Sequence, residues 1–227
     1  MLGHTVLKYL SKQNNTVKTT DHRWSDEGFV RDLISFNGEF IINCIGSIPQ
    51  RTDDFVINYD LPIWLDKNTK CNIIHPGTDC EMDDDYYGIS KKNTSDYIKI
   101  DGKRTKIIKT SIIGHELKSS YGLLEWFLGS KDKVFGYNKF YWNGNTTLEW
   151  AKVCEELMLK WNDYDVEHTI TSECVSKYHL LKKISKVYNK EILISKNSDV
   201  EANKCLKGEM RNSIDIQLQE LKYFYDN

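Results

Sequence analysis

Residues 71–79 read Cys-Asn-Ile-Ile-His-Pro-Gly-Thr-Asp, and after a short acidic stretch the chain continues Tyr87-Gly88-Ile89-Ser90-Lys91. Cys71 to His75 is an apolar run of strand length that stops at Pro76-Gly77, and Tyr87 to Ile98 has helical spacing. A strand that feeds a helix is half of a βαβ unit. The alternation repeats on either side. Upstream, Phe40 to Cys44 is a short apolar strand ending at Gly46. A helix is expected over about Asn58 to Leu65, starting near Pro62, where a fixed φ suits a first turn. Downstream, Thr105 to Ile113 reads as a strand ending at Gly114. Nearer the start, Leu2, Val6, Leu7 and Leu10 share a helical face, and Thr16 to Thr20 is β-branched and strand-like. Ser25 or Asp26 caps a helix running to about Ser35. Strands alternating with helices predict an α/β fold with a doubly wound parallel sheet. Continuous apolar strands fit a sheet covered on both faces.

Past about His115 the character changes. Tyr121 to Tyr141 is rich in aromatics and glycine. Thr147 to Asn162 is an amphipathic helix with Trp150, Cys154, Leu157 and Trp161 on one face. Ser176 to Tyr188 is a second, with Leu180, Leu181, Ile184 and Val187 inward. Ile214, Leu218, Leu221 and Tyr225 mark a third. The expected organisation is a Rossmann-like domain over residues 1–115 and a smaller carboxyl-terminal region over 116–227, partly interleaved with it.

The chain has 227 residues, a formal net charge of −2 and 40% hydrophobic residues. That length is ample for a buried core. The balanced charge argues against a nucleic-acid partner, which needs a basic face. No apolar run approaches a membrane span, and the start lacks the layout of a secretory leader. A cytoplasmic protein is expected. The six cysteines form no C-x-x-C pair, so reduced, buried thiols are expected rather than a disulfide framework. The histidines form no close ligand pair, and no metal site is expected.

In a doubly wound sheet, ligands sit beyond the carboxyl ends of the strands. That directs attention to Asp21-His22-Arg23, Ile45-Gly46-Ser47, Thr78-Asp79 and Ser111-Ile112. Tyr87 and Lys91, four apart on a helix, share a face. A phenol is a useful proton donor to a carbonyl when a neighbouring ammonium lowers its pKa, and the Thr78 hydroxyl can hold the same oxygen. The trio suits general acid catalysis beside a hydride donor. Chance alone supplies about two such Tyr/basic pairs in this composition, and the sequence has a second with lysine, Tyr178/Lys182, on a helix whose apolar stripe is packing. Tyr87/Lys91 stands out by its place after a parallel-type strand. Asp83 to Asp85 read as a solvated acidic turn.

Several segments, taken in order, resemble the extended short-chain dehydrogenase/reductases of the dTDP-4-dehydrorhamnose reductase type. They are Met1-Leu2-Gly3-His4, Ile42-Asn43-Cys44-Ile45-Gly46, Asn58 with Pro62 following, and Ile74 to Cys80. Then come Tyr87 to Lys91, Lys109 to Gly114, Trp142-Asn143-Gly144-Asn145-Thr146-Thr147 and Asn203 to Leu206. The resemblance implies Thr78, Tyr87 and Lys91 as catalytic residues, with Tyr87 the proton donor and Lys91 binding the nicotinamide ribose and lowering the phenol's pKa. It implies that Leu2, Gly3, Cys44, Ile45, Gly46 and Asn58 line an NADP(H) or NAD(H) cofactor. Asp21 would accept from a ribose 2′-hydroxyl, favouring NAD, whereas Arg23 would pair with a 2′-phosphate, favouring NADP; the resemblance tips toward NADP. Asp79, Trp142, Asn143 and Thr147 are the implied contacts to a nucleotide-sugar substrate, with Lys177 and Lys204 as candidates for its diphosphate. A homodimer is one expected assembly.

The implied activity is reduction of a nucleotide-linked 4-keto-6-deoxy-sugar. An epimerase or dehydratase of the same superfamily is the first alternative, with Glu81 as its nearest extra carboxylate. A non-catalytic regulatory subunit is the second. The family's G-x-x-G-x-x-G loop is represented by Gly3 alone, and the first strand is missing, so an in-frame upstream extension carrying both is expected. The span from Thr78 to Tyr87 is shorter than in the family, which implies a more open substrate pocket.

Overall fold

The structure is a computed structural model that describes residues 1–13 and 15–227. Its helices are α1 (Leu2–Lys12), α2 (Glu27–Ser35), α3 (Ile57–Asn68), α4 (Tyr86–Asp101), α5 (Leu123–Gly129), α6 (Thr147–Leu159), α7 (Lys177–Val187) and α8 (Ile214–Asp226). Its strands are β1 (Phe40–Ile42), β2 (Asn72–Gly77), β3 (Thr105–Lys109), β4 (Ile112–Ile113), β5 (Lys133–Trp142), β6 (Asn145–Thr146), β7 (Glu167–Thr171), β8 (Val175–Ser176), β9 (Leu193–Asn203) and β10 (Glu209–Met210). The chain divides into two compact units. The first holds Leu7–Lys109 and Cys154–His168, and the second holds Met1–Val6, Thr110–Val153 and Thr169–Asn227.

The first unit carries a sheet in the order β1-β2-β3-β7, with β1, β2 and β3 parallel. Ile73 and Ile74 are both fully buried, as are Ile107 and Ile108. Successive strand residues point to opposite faces, so both faces of this sheet are covered. One side of the core is Phe29 of α2, Leu61 and Leu65 of α3 and Ile73 of β2, with Trp24, Leu33, Ile41, Ile57 and Trp64 packed against them.

Pro62 lies well inside α3 rather than at its start, a correction to the expected boundary. A proline has no N–H for the carbonyl four residues earlier. That carbonyl, of Asn58, instead accepts from the Thr94 hydroxyl of α4 at 2.7 Å. The helix survives its proline because a neighbouring helix supplies the missing donor.

Thr16 to Thr20 is not a strand in the structure. Among the described residues it has no ladder partner, and β-branched sequence does not make a strand without one. The Thr20 hydroxyl donates instead to Asp32 of α2 at 2.8 Å. The expected strand over Thr105 to Ile113 is two strands, β3 and β4. In α1, Leu2, Val6 and Leu10 are buried in an i, i+4, i+8 stripe, whereas Leu7, one residue off it, is 38% exposed. Helix α6 ends at Leu159, and Trp161 begins a separate 3₁₀ turn, where it packs edge-on against Phe40.

The second unit contains the β4–β6 pair, the sheet β8-β5-β9, and the end of β7, whose Ile170 and Thr171 pair in parallel with Glu209 and Met210. Its core includes Leu124, Phe127, Trp142, Trp150, Leu180, Leu181, Ile184, Ile214, Leu218 and Leu221. Tyr178 is buried with Lys182 over its ring, so the second Tyr/Lys pair belongs to packing. The expectation of wholly reduced cysteines is overturned in this unit: Cys174 and Cys205 form a disulfide. The two are 31 residues apart, and sequence spacing does not reveal that the turn after β7 and the turn after β9 meet.

Candidate active site

The site is built where β2 ends. Thr78 follows the last residue of β2 and caps a 3₁₀ turn, Asp79–Met82, in a capping box with Glu81. Its hydroxyl accepts from the Cys80 N–H and donates to Asp79 Oδ1. Asp85 then caps α4, accepting from Gly88 N–H at 2.6 Å, so one member of the expected solvated acidic turn has a structural task. Tyr87 is thereby placed in the first turn of α4, with Phe55 edge-on at 5.6 Å and the Thr78 side chain hydrogen-bonded to its phenol. A Cβ on Gly88 would stand 2.4 Å from the Cys80 carbonyl oxygen. Glycine is what lets α4 come this close to the turn. The short connection from Thr78 to Tyr87 brings the two side chains together.

The phenol is not made more acidic. Burial pushes its pKa well above the usual value, Cys80, Asp79 and Glu81 push it further, and the Thr78 hydrogen bond opposes them. The net direction is the opposite of the expected lowering of the tyrosine's pKa. Lys91 is only 8% exposed, and its amine donates to Pro76 O at 2.9 Å and lies 3.4 Å from His75 Nε2. Burial lowers its pKa to about 8. His75, also buried, is held well below the imidazole's usual value by burial and by Lys91.

The carboxylates beside the phenol are engaged. Glu81, buried, accepts from Thr78 N–H at 3.1 Å and from Lys109 at 2.7 Å. Asp79, 5% exposed, holds the Thr78 hydroxyl.

Beyond the end of β1, two asparagines shape the loop. Asn43 Oδ1 accepts from Ile45 N–H at 3.0 Å. Asn58 Oδ1 accepts from Ser47 N–H, and its amide donates to Ser47 O and Ser90 Oγ. A Cβ on Gly46 would stand 2.9 Å from Asn58 Oδ1. Ile45 and Gly46 are left exposed at the carboxyl end of β1. Cys44 is a free thiol whose pKa burial pushes up to about 12. Asp21 and Arg23 are both exposed, in the turn before α2.

The remaining predicted residues lie in the second unit. Leu2 is buried and Gly3 half-buried in the first turn of α1. Trp142, Asn143 and Thr147 are buried. Asn143 exchanges two hydrogen bonds with the Leu206 backbone, Thr147 Oγ1 accepts from Thr5, and Lys177 stands 5.3 Å from the Trp142 ring centre. Sequence reasoning missed Asn43 as an orienting residue, His75 behind Lys91 and Lys109 against Glu81. The only signal was their position at the ends of β1, β2 and β3. Among the described residues no cluster of His, Cys, Asp and Glu suits a metal ion, and no helix is long and apolar enough to cross a membrane.

A nicotinamide dinucleotide fits the donors present at this sheet edge. Lys91 has N–H capacity beyond its bond to Pro76, Tyr87 offers its phenol, and Ile45 and Gly46 are exposed in the loop after β1.

No protein-family model and no curated protein sequence matches the chain. Solved structures do. A dTDP-4-dehydrorhamnose reductase from Bacillus anthracis, in complex with NADP, superposes with a TM-score of 0.81 at 13% identity, covering 98% of this chain and 95% of that one. The dTDP-4-dehydrorhamnose reductase of Clostridium acetobutylicum gives 0.76 at 15%, covering 100% and 96%. A UDP-N-acetylglucosamine 4-epimerase from Bacillus cereus gives 0.69 at 15%, covering 100% and 93%. The mostly parallel α/β fold of this chain is the fold of the dTDP-4-dehydrorhamnose reductases.

Proposed function

We propose that this chain is an NAD(P)H-dependent reductase of a nucleotide-linked sugar ketone, with a 4-keto-6-deoxy-sugar as the substrate class. The observation that carries the reading is the Thr78–Tyr87 pair at the carboxyl edge of a parallel sheet, with a buried lysine one helical turn on. The fold match to a reductase crystallised with NADP supports it.

A reduced nicotinamide, when bound, supplies the hydride. Tyr87 supplies the proton. Its raised pKa keeps it protonated through the neutral range, and a ketone oxygen placed between Tyr87 and Thr78 receives the phenol's hydrogen bond, joined by Thr78 when its proton turns away from Asp79. Asp79 orients the Thr78 hydroxyl, and Lys109 neutralises Glu81 behind it. Lys91, anchored on Pro76, turns its remaining N–H toward a ribose hydroxyl. Asn43 and Asn58 hold the Ile45–Gly46 loop open for the dinucleotide. Arg23 is assigned to a 2′-phosphate, which makes NADPH the preferred cofactor, and Asp21 is the competing ribose contact.

An epimerase reading draws support from the likeness to the Bacillus cereus enzyme, but it needs a further free acid or base. Glu81, the nearest carboxylate, is committed to Lys109 and Thr78 N–H. The test is to incubate the protein with NADPH and a dTDP-4-keto-6-deoxy-sugar and follow NADPH absorbance. Stoichiometric NADPH consumption is expected. Sugar isomerisation without net consumption replaces the reading by epimerisation, and no NADPH binding replaces it by a non-catalytic role.

A further inference from the structure

A cavity of about 360 Å³ is lined by Asp66, Lys67, Tyr97, Asp101, Lys103 and Arg104. Ile73 of β2 pairs in parallel with Thr105 of β3, so Arg104 stands at the starting end of the strands and Thr78 beyond their finishing end. The turn into β3 is built on one carboxylate. Asp66, 1% exposed, accepts from the N–H groups of Lys103 and Arg104, each at 3.0 Å, and from the Thr105 hydroxyl at 2.7 Å. Its charge is engaged by those donors, and the backbone beneath two consecutive cationic residues is fixed. Lys67, next to Asp66 on α3, holds its amine over the Tyr97 ring of α4, 5.3 Å from the ring centre. Cations from α3 and from the turn between α4 and β3 thus share one cavity.

The protein itself does not neutralise them. Lys67 and Lys103 are exposed at the rim, and Arg104 is half-buried. Among the described residues none of the three has an ion pair, and Asp101 has none either. A guanidinium drawn partly out of water is ordinarily paired, and its planar fork suits two oxygens of one anion. We propose that this cavity is a phosphate site, in which Arg104 takes two oxygens of a phosphate group and the Lys67 and Lys103 ammonium groups flank the others. The ligand is free phosphate or a small phosphomonoester. A phosphate group carries close to two charges in the neutral range and answers three cations better than a single carboxylate does. Asp101 is the one uncommitted charge that opposes it. The site shares no residue with the reductase reading and does not rest on it.

The test titrates labelled, full-length protein with inorganic phosphate in neutral buffer at constant ionic strength, following backbone amide and arginine Nε signals by NMR. Saturable shifts centred on Lys103 and Arg104 are expected, with a Kd of about 1 mM or tighter. Arg104→Gln keeps the backbone N–H that Asp66 holds, so the turn is retained while affinity falls at least about tenfold. Asp101→Asn removes the opposing charge and tightens binding by about twofold or more, a gain that a merely structural role would not produce. A parallel titration with ribose 5-phosphate separates the two sources. Tighter binding than phosphate assigns the site to an ester, and equal or weaker binding assigns it to the free ion. Shifts reproduced by chloride, shifts confined to Arg23, Ile45 and Gly46, absence of saturation, or native affinity in Arg104→Gln each overturn the site. If Arg104→Gln does not fold, the opposite changes expected of Asp101→Asn and Lys103→Gln decide. Absent NADPH binding would overturn the reductase reading and leave this result untouched.

Discussion

Pro76 turns its carbonyl oxygen past the last paired residue of β1 and receives the Lys91 amine there at 2.9 Å. Two residues earlier, Ile74 O points to the same side and accepts from Asn43 N–H at 2.9 Å. One position farther along that edge the partner strand has ended, and a lysine from α4 takes the place of its next N–H. The sheet's own pleat thus creates the anchor that holds Lys91.

Replacing the buried lysine should change how stability depends on pH. In the folded protein Lys91 titrates near 8, against 10.5 for an unperturbed lysine. Between those values the unfolded chain binds more protons, so native stability rises with pH across that window. Urea denaturation of Lys91→Met is expected to lack that rise. NADPH affinity, measured by fluorescence titration, should fall by at least about tenfold for the loss of a charge-capable donor.

Tyr87→Phe should lower the turnover of sugar-dependent NADPH oxidation by about 10²- to 10⁴-fold, the range of a positioned general acid. The ring contact with Phe55 is kept. The thermal midpoint should therefore move only by the loss of the Thr78 hydrogen bond, about 1 kcal/mol. Retained turnover would remove Tyr87 from the mechanism.

Thr94→Val should leave the Asn58 carbonyl without a donor, because Pro62 cannot provide one. A cost of about 1–3 kcal/mol follows. Restoring the helix N–H with Pro62→Ala in the same chain should recover part of it, and a double-mutant cycle in urea measures the coupling. Strictly additive effects would show that the hydroxyl does not serve that carbonyl.

Glu81→Gln removes the partner of Lys109 and weakens the Thr78 cap. Lys109 retains Glu167 at 3.6 Å, so the loss should stay near about 2–3 kcal/mol, below that of a fully isolated buried charge. Because Glu81 pushes the Tyr87 phenol upward, its removal should bring that phenol's ultraviolet titration to lower pH.

Reduction of the Cys174–Cys205 bond should lower the thermal midpoint, corresponding to about 2–4 kcal/mol for a loop of this length. The Cys174→Ala/Cys205→Ala protein should melt at the same temperature with or without dithiothreitol. A native protein indifferent to reductant would contradict the bond.

The βαβ order was legible along the chain, because the periods of 2 and 3.6 and the punctuation by Pro-Gly and Gly are local properties. So were the place of Thr78 after a strand and the shared helix of Tyr87 and Lys91. Where those side chains turn is settled by the folded chain. Lys91 goes to Pro76 and His75 rather than to the phenol, because a carbonyl at the end of β2 lies open only once β1 has stopped short. The acidity of Tyr87 is likewise set by burial first, and then by Cys80, Asp79 and Glu81, folded over it by a capped 3₁₀ turn. Thr16 to Thr20 had strand residues but no ladder partner, and Cys174 found Cys205 across 31 positions. Pairing, burial and charge environment depend on residues distant in sequence, and a local pattern does not encode which of them will meet.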